Sequence, residues 1–108
     1  MGLGSPKLPP VTRNDIYLTI SRKAFVYGID EKILMGIIKC ESNYDIRAIN
    51  ENEFERSLGL GQINTNVHDI TDEQAYDTEF AVSFVAKSIK EGKAKQMYKT
   101  CYRKAVSA

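Results

Sequence analysis

From Asp30 to Ser42 the chain reads DEKILMGIIKCES, and Ile33, Leu34, Ile37 and Ile38 recur one helical turn apart. At about 100° per residue these side chains form one stripe, so the segment predicts an amphipathic helix with Asp30 as its N-cap. The same spacing puts Glu41 one turn beyond Ile37 and Ile38, inside the apolar stripe and not opposite it. A carboxylate therefore points where a core should be. A plain account is available: an acid at a helix end can be half exposed by fraying, or can meet a backbone N–H or an arginine such as Arg47 or Arg56.

Helical periodicity governs most of the remaining sequence, and no segment alternates convincingly as a strand, which predicts an all-α fold. A first helix runs from Thr12 or Asn14 to Tyr27, with Ile16, Leu18, Ile20, Ala24, Phe25 and Val26 as apolar positions and Gly28 as its stop. The polar stretch DIRAINENEFERSL, Asp45 to Leu58, reads as a loop too long for a simple turn, and such loops are often functional. GLGQIN is expected to open a short third helix. Asp77 caps a fourth, in which Phe80, Ala81, Phe84, Val85 and Ile89 recur up to Gly92. The tail from Ala94 aligns Met97, Cys101 and Ala105 on one stripe, with Tyr98 and Tyr102 beside it.

Composition narrows the function classes. A chain of 108 residues that is 43% hydrophobic suits one compact domain. The opening MGLGSPKLPPVT lacks a charged segment followed by an apolar one, so residues 1–11 read as a flexible leader, not a secretory signal, and 12–108 as the domain. No apolar run approaches the roughly 20 residues that cross a bilayer. Fifteen basic and fourteen acidic side chains leave a net charge of +1, which gives no overall footprint for nucleic acid or an anionic membrane. Two cysteines make no disulfide framework and no C-x-x-C element, and with His68 as the one histidine no metal site is expected. His68 has no partner motif and is expected at the surface.

After Glu41 come Ser42 and Tyr44, then the polar loop, then Ser57-Leu58-Gly59-Leu60-Gly61-Gln62-Ile63-Asn64. This order resembles the lytic transglycosylase (SLT-type) domain of the lysozyme superfamily. That pattern joins a glutamate-serine pair at a helix end, an aromatic two residues on and an asparagine/alanine-containing segment, here NYDIRAIN, to a GLMQ element, with Gly61 standing where the family often has methionine. Asp77-Thr78-Glu79-Phe80 and Val85 to Lys90 are similar to the segment leading into the family's next long helix. The resemblance extends from about Ile16 to Lys90 and is most specific from Glu41 to Asn64.

The resemblance implies a small lysozyme-like helical domain with a long loop between the helix of the catalytic glutamate and the GLGQ helix. It implies peptidoglycan as substrate, no cofactor, and action at the cell wall by a monomer or one domain of a larger cell-wall or phage assembly. Glu41 would be the catalytic acid, kept protonated by desolvation, and would then serve as base while the muramyl C6 hydroxyl closes a 1,6-anhydro ring. Ser57 and Gln62 would orient Glu41 or hold the sugar, and Tyr44 would shape the cleft; Asn64 and Asn66 either line it or follow the helix. Asp45, Glu51, Glu53, Glu55 and Asp69, the candidates for a second carboxylate, lie in polar segments and read as surface charges.

Family members usually carry a later tyrosine-asparagine pair near the glutamate, where this chain offers Tyr102-Arg103. Either Tyr102 takes that place or Tyr98 and Tyr102 are ordinary core aromatics four residues apart. If Tyr102 does take it, Cys40 and Cys101 could approach each other, but neighbours on a helix point about 100° apart, and two separate buried thiols are expected. A hydrolytic muramidase and an inactive peptidoglycan-binding module of the same fold stand as alternatives.

Overall fold

The computed structural model describes residues 10–108, so the leader expected over 1–11 falls almost wholly outside the described residues. Helix α1 spans Arg13–Tyr27 and opens with a capping box: Thr12 Oγ1 accepts from the Asp15 N–H (3.1 Å), and Asp15 Oδ2 accepts from the Thr12 N–H (2.9 Å). It stops at Gly28, whose φ of 66° suits a residue without Cβ. Helix α2 spans Glu31–Ser42, capped by Asp30 as expected and closed by Asn43 at a positive φ. Helix α4 spans Thr78–Lys90, and Asp77 accepts from the Phe80 N–H at 2.8 Å. Between the last two lies α3, Asp72–Tyr76, a short helix with its own Thr71–Gln74 capping box that the apolar pattern does not announce.

Against these three long helices pack α5 (Ala94–Met97) and α6 (Lys99–Ser107). α1 lies on α4, and α2 lies on α6. Ile16, Ile20, Leu34, Ile37, Ile38, Val82 and Val85 form the centre of the core. Burying each such side chain contributes roughly 1.5–3 kcal/mol. On α1 only Ile16, Ile20 and Ala24 of the expected apolar positions are buried; Leu18, Phe25 and Val26 are exposed, because a helix on the outside of one layer can bury only one stripe.

Three expectations are corrected. First, the fold is not purely all-α: the polar stretch contains β1 (Ile49–Glu51) and β2 (Arg56–Leu58), and β3 (Ile63–Asn64) completes a small antiparallel sheet in the order β1-β2-β3. Ile49 opposes Leu58, Asn50 opposes Ser57 and Glu51 opposes Arg56, while Ser57 and Leu58 oppose Asn64 and Ile63. The turn at the tip is made by Asn52, whose Oδ1 accepts from the Phe54 and Glu55 N–H groups at 2.8 and 2.9 Å. All of β1 is exposed, so no alternation marks it in the sequence.

Second, GLGQIN opens no helix. Gly59 and Gln62 both have positive φ, and a Cβ on Gly59 would sit 2.0 Å from the Ala75 carbonyl oxygen. The glycine lets two backbones meet, and the chain turns back as β3. Beneath the sheet Leu58, Ile63 and Ala75 form a second, smaller core.

Third, Cys40 and Cys101 are joined in a disulfide, with Cα atoms 5.6 Å apart, and are not separate thiols. The packing of α2 on α6 brings the two Cα atoms within bridging range, which sequence separation alone does not reveal.

Candidate active site

Helix α2 carries Glu41 in its last turn, and the sheet folds back over that helix end. Between them is a cavity of about 550 Å³ lined by Glu41, by Asn50, Glu51, Asn52, Glu55 and Ser57 of the hairpin, by Gln62, Ile63 and Asn64, and by Val67, His68, Phe84, Met97 and Tyr98. Three carboxylates therefore meet in one place, and their surroundings differ.

Glu51 is paired with the Arg56 guanidinium at 3.1 Å, and Arg56 in turn holds Asp72 through two hydrogen bonds of 2.6 and 2.7 Å. That bidentate grip keeps the Asp72 carboxyl below the ordinary range. Glu55 accepts a hydrogen bond from Ser57 Oγ at 2.5 Å, and Ser57 is buried in β2. Glu41 is half-buried, and among the described residues no hydrogen bond or ion pair reaches its carboxylate. Burial raises its pKa above the usual carboxylate value, and the negative charge of Glu55 raises it further. The acid that interrupts the apolar stripe is thus biased toward its protonated form.

Tyr98 closes the inner wall. It is almost fully buried, and its hydroxyl donates to the Gly61 carbonyl at 2.8 Å. Burial pushes its pKa well up, with the nearby Glu41 charge adding to the effect. A Cβ on Gly61 would lie 2.9 Å from Val85 Cγ2 and 3.5 Å from the Tyr98 hydroxyl. Tyr98 and Val85 thus take up the room a side chain would need at the position where the resemblance expects methionine.

The residues named from sequence divide into two groups. Glu41, Ser57, Gln62 and Asn64 are brought together around the cavity. Gln62 serves the loop first: its Nε2 donates to the carbonyls of Gly59 (3.0 Å) and Ala48 (3.3 Å), and its Oε1 accepts from Asn50 Nδ2 at 2.7 Å. Asn66 is not among the lining residues. Tyr44 lies elsewhere, buried edge-on against Tyr17 with ring centroids 5.2 Å apart and the Arg13 guanidinium 4.9 Å from its ring centroid. Tyr102 also lies elsewhere, on α6 beside Lys99 and Arg103.

Tyr98, Glu55 and His68, read from the sequence as a core aromatic, a surface charge and a surface residue, also line the cavity. Tyr98 is indistinguishable by spacing from its neighbour Tyr102. Glu55 reaches the cavity only through the unannounced hairpin. His68, expected at the surface, is partly buried and packs edge-on against Phe84, with ring centroids 5.1 Å apart. No group of three or more histidine, cysteine, aspartate or glutamate side chains among the described residues is arranged to hold a metal ion.

A mostly helical domain with a small three-stranded sheet is broadly consistent with a small lysozyme-like domain. The sequence model of one such family, the Transglycosylase SLT domain, matches residues 19–104. The chain belongs to that family, whose activity is transglycosylase cleavage of glycosidic bonds in peptidoglycan. Neither the curated proteins nor the solved structures give a significant match. No helix among the described residues is long and apolar enough to cross a membrane.

Proposed function

We propose that the protein is a peptidoglycan lytic transglycosylase that cleaves the bond between N-acetylmuramic acid and N-acetylglucosamine, with Glu41 as acid and then base. The observation that carries this reading is the state of Glu41, half-buried, unpaired among the described residues and raised in pKa within a cavity large enough for sugar units. A carboxylic acid held protonated can give its proton to the glycosidic oxygen as the C1–O bond breaks. The resulting carboxylate then takes the proton of the muramyl C6 hydroxyl while that oxygen bonds to C1. No water is consumed. The attacking hydroxyl belongs to the same molecule, so the ring closure benefits from a high effective concentration.

Ser57 acts in this scheme by fixing Glu55, whose negative charge favours the protonated form of Glu41 and the positive charge that develops at C1. Gln62, with Asn50, holds the strand edge at the cavity in a single arrangement. Replacing Glu41 by Gln keeps the shape and removes the transferable proton, so wall-degrading activity should fall by at least about a hundredfold. Near-normal clearing of purified cell walls by Glu41→Gln would reject the assignment.

One observation favours a second reading, hydrolysis by a muramidase route: Glu55 lines the same cavity, and two-carboxylate glycosidases use such a partner to activate water or to bond to C1. Mass spectra of digested peptidoglycan distinguish the two. Transglycosylation releases 1,6-anhydromuramyl products about 18 daltons lighter than hydrolytic ones and inert to borohydride. Reducible, hydrated products would assign Glu55 the second carboxylate's role.

A further inference from the structure

The near-zero net charge conceals a strong division along the chain. From Lys87 to the C-terminus there are seven basic residues and one acidic residue, Glu91, whereas the residues before Lys87 hold eight basic and thirteen acidic. The C-terminal part also forms a second groove, of about 780 Å³, between α5 and α6. Lys95, Lys99 and Arg103, spaced by four residues, line it together with Tyr102 and Val106. All three cations are exposed, and among the described residues no acidic side chain lines the groove and none of the three is in an ion pair.

The groove and the cavity lie on opposite sides of the same short piece of chain: Met97 and Tyr98 line the cavity, while Lys95 and Lys99 line the groove. A helix with its side chains is roughly 10 Å across, which is the span a ligand must cover to pass from one side of α5 to the other. Beside the protonated Glu41 the cavity carries Glu51 and Glu55, which repel an anion and suit an uncharged sugar backbone. The peptide stems of a peptidoglycan strand, by contrast, carry several carboxylates each. A stem of about four residues extends about 13 Å, enough to pass from the sugar in the cavity over α5 to the groove.

We infer that the groove lined by Lys95, Lys99 and Arg103 binds the carboxylates of a peptide stem attached to the glycan strand whose sugars occupy the Glu41 cavity. This rests on the proposed function for its choice of polymer. The division of charge then sorts the substrate: neutral sugar goes to the acidic cavity, anionic peptide to the basic groove. Tyr102 and Val106 supply an apolar floor for the stem's alanine methyl groups.

Sedimentation of the full chain with purified peptidoglycan sacculi tests the inference, using Glu41→Gln as the parent so that the polymer stays intact. Two polymers are compared, sacculi with their stems and glycan strands stripped of stems by an amidase, the lactyl carboxylates so freed being blocked as methylamides. The triple variant Lys95→Gln/Lys99→Gln/Arg103→Gln should bind intact sacculi about tenfold more weakly than its parent, the sum expected of three partly exposed charge pairs. Binding to stripped strands should not change. Unchanged binding to intact sacculi overturns the inference, as does an equal loss on stripped strands. So does a loss seen with phosphatidylglycerol vesicles while sacculus binding is kept, since it assigns the groove to a lipid surface. Should the triple variant fold poorly by circular dichroism, Lys99→Gln and a salt titration of the parent replace it: added salt must weaken binding to intact sacculi and leave stripped strands unaffected. Binding is read without turnover, so a failure of the groove is distinct from a failure of Glu41, which the cell-wall clearing assay reports.

Discussion

Between α1, α2 and α4 the chain buries Ile20, Leu34, Ile37, Ile38, Val82 and Val85, and few polar side chains are needed to hold the helices in place. Between Asp45 and Tyr76 the order is reversed. There Asn52 makes the turn, Arg56 binds Glu51 and Asp72, Gln62 bridges to Asn50, and of the apolar side chains only Leu58, Leu60, Ile63 and Ala75 lie fully inside. Burial is cooperative and non-directional, so the helical part tolerates a wide range of apolar sequences. Hydrogen bonds and ion pairs are directional and individually worth about 1 kcal/mol, so the strand part needs particular residues at particular positions. The cavity lies where the two meet, with its acid on the rigid side and the groups that tune it on the polar side.

Removing the disulfide is expected to have the largest effect on stability, and it falls wholly on the helical side. Cys40 and Cys101 are separated by 61 residues, and cross-linking a loop of that size stabilises by about 4 kcal/mol on the chain-entropy account. Cys40→Ser/Cys101→Ser should lose about 2–4 kcal/mol in urea unfolding, with the hairpin side chains unchanged in the residual fold. Intact mass after alkylation checks the bond itself: the unreduced protein should be about two daltons lighter than the reduced one before labelling. A variant as stable as its parent would mean that packing of α2 on α6 is sufficient alone. Such a bond suits an oxidising compartment, in keeping with a substrate in the cell wall.

Gly59→Ala strikes the strand side. The added methyl meets the Ala75 carbonyl and must also adopt a φ of 75°, so two penalties combine to about 3 kcal/mol. The sheet should shift away from α3, and wall-degrading activity should fall with it although Glu41 is untouched. A drop in stability without a drop in activity would show that the sheet does not hold the cavity in shape.

How much of each part is legible in the sequence follows from the same contrast. The helical side is written in periodicities and caps: Asp30, Asp77 and Gly28 mark boundaries that the structure keeps, and Glu41 is conspicuous because it breaks a stripe. The strand side is written in side-chain hydrogen bonds that join residues far apart in the chain. Nothing in INE announces β1, and the glycines of GLGQ read as helix entry when their task is a close backbone approach. Glu55 and Tyr98 reach the cavity through those unannounced turns, from the hairpin tip and from the break between α5 and α6. Of the residues named from the resemblance, Ser57 and Gln62 line the cavity, whereas Tyr44 and Tyr102 lie on other faces.

Tyr98→Phe cuts the link between the two parts, the buried bond from the tail to Gly61. Its loss leaves a buried carbonyl without a partner and should cost about 1–2 kcal/mol, with the packing of the ring retained. The effect on activity should exceed that of Tyr102→Phe, because only Tyr98 lines the cavity. Equal effects of the two substitutions on activity would remove Tyr98 from the site.

The smallest expected effect concerns Glu41 itself and has the opposite sign. Its folded-state pKa is raised, so between the ordinary value of 4.5 and the raised one the folded chain binds more protons than the unfolded chain. Stability must then fall as pH rises through that window, and above it the folded protein carries a half-buried charge, unpaired among the described residues, that the unfolded chain solvates freely. Glu41→Gln has no charge to bury. It should match its parent in acid, where both side chains are neutral, and exceed it slightly at neutral pH, by a few degrees of melting temperature at most. Melting curves of the two proteins across pH 4 to 8 decide, and parallel curves over that range would mean that Glu41 is as well solvated as any surface carboxylate. The variant that destroys activity should thus be the one that relieves the helical side of its misplaced acid, which is what a residue kept for chemistry at the expense of stability looks like.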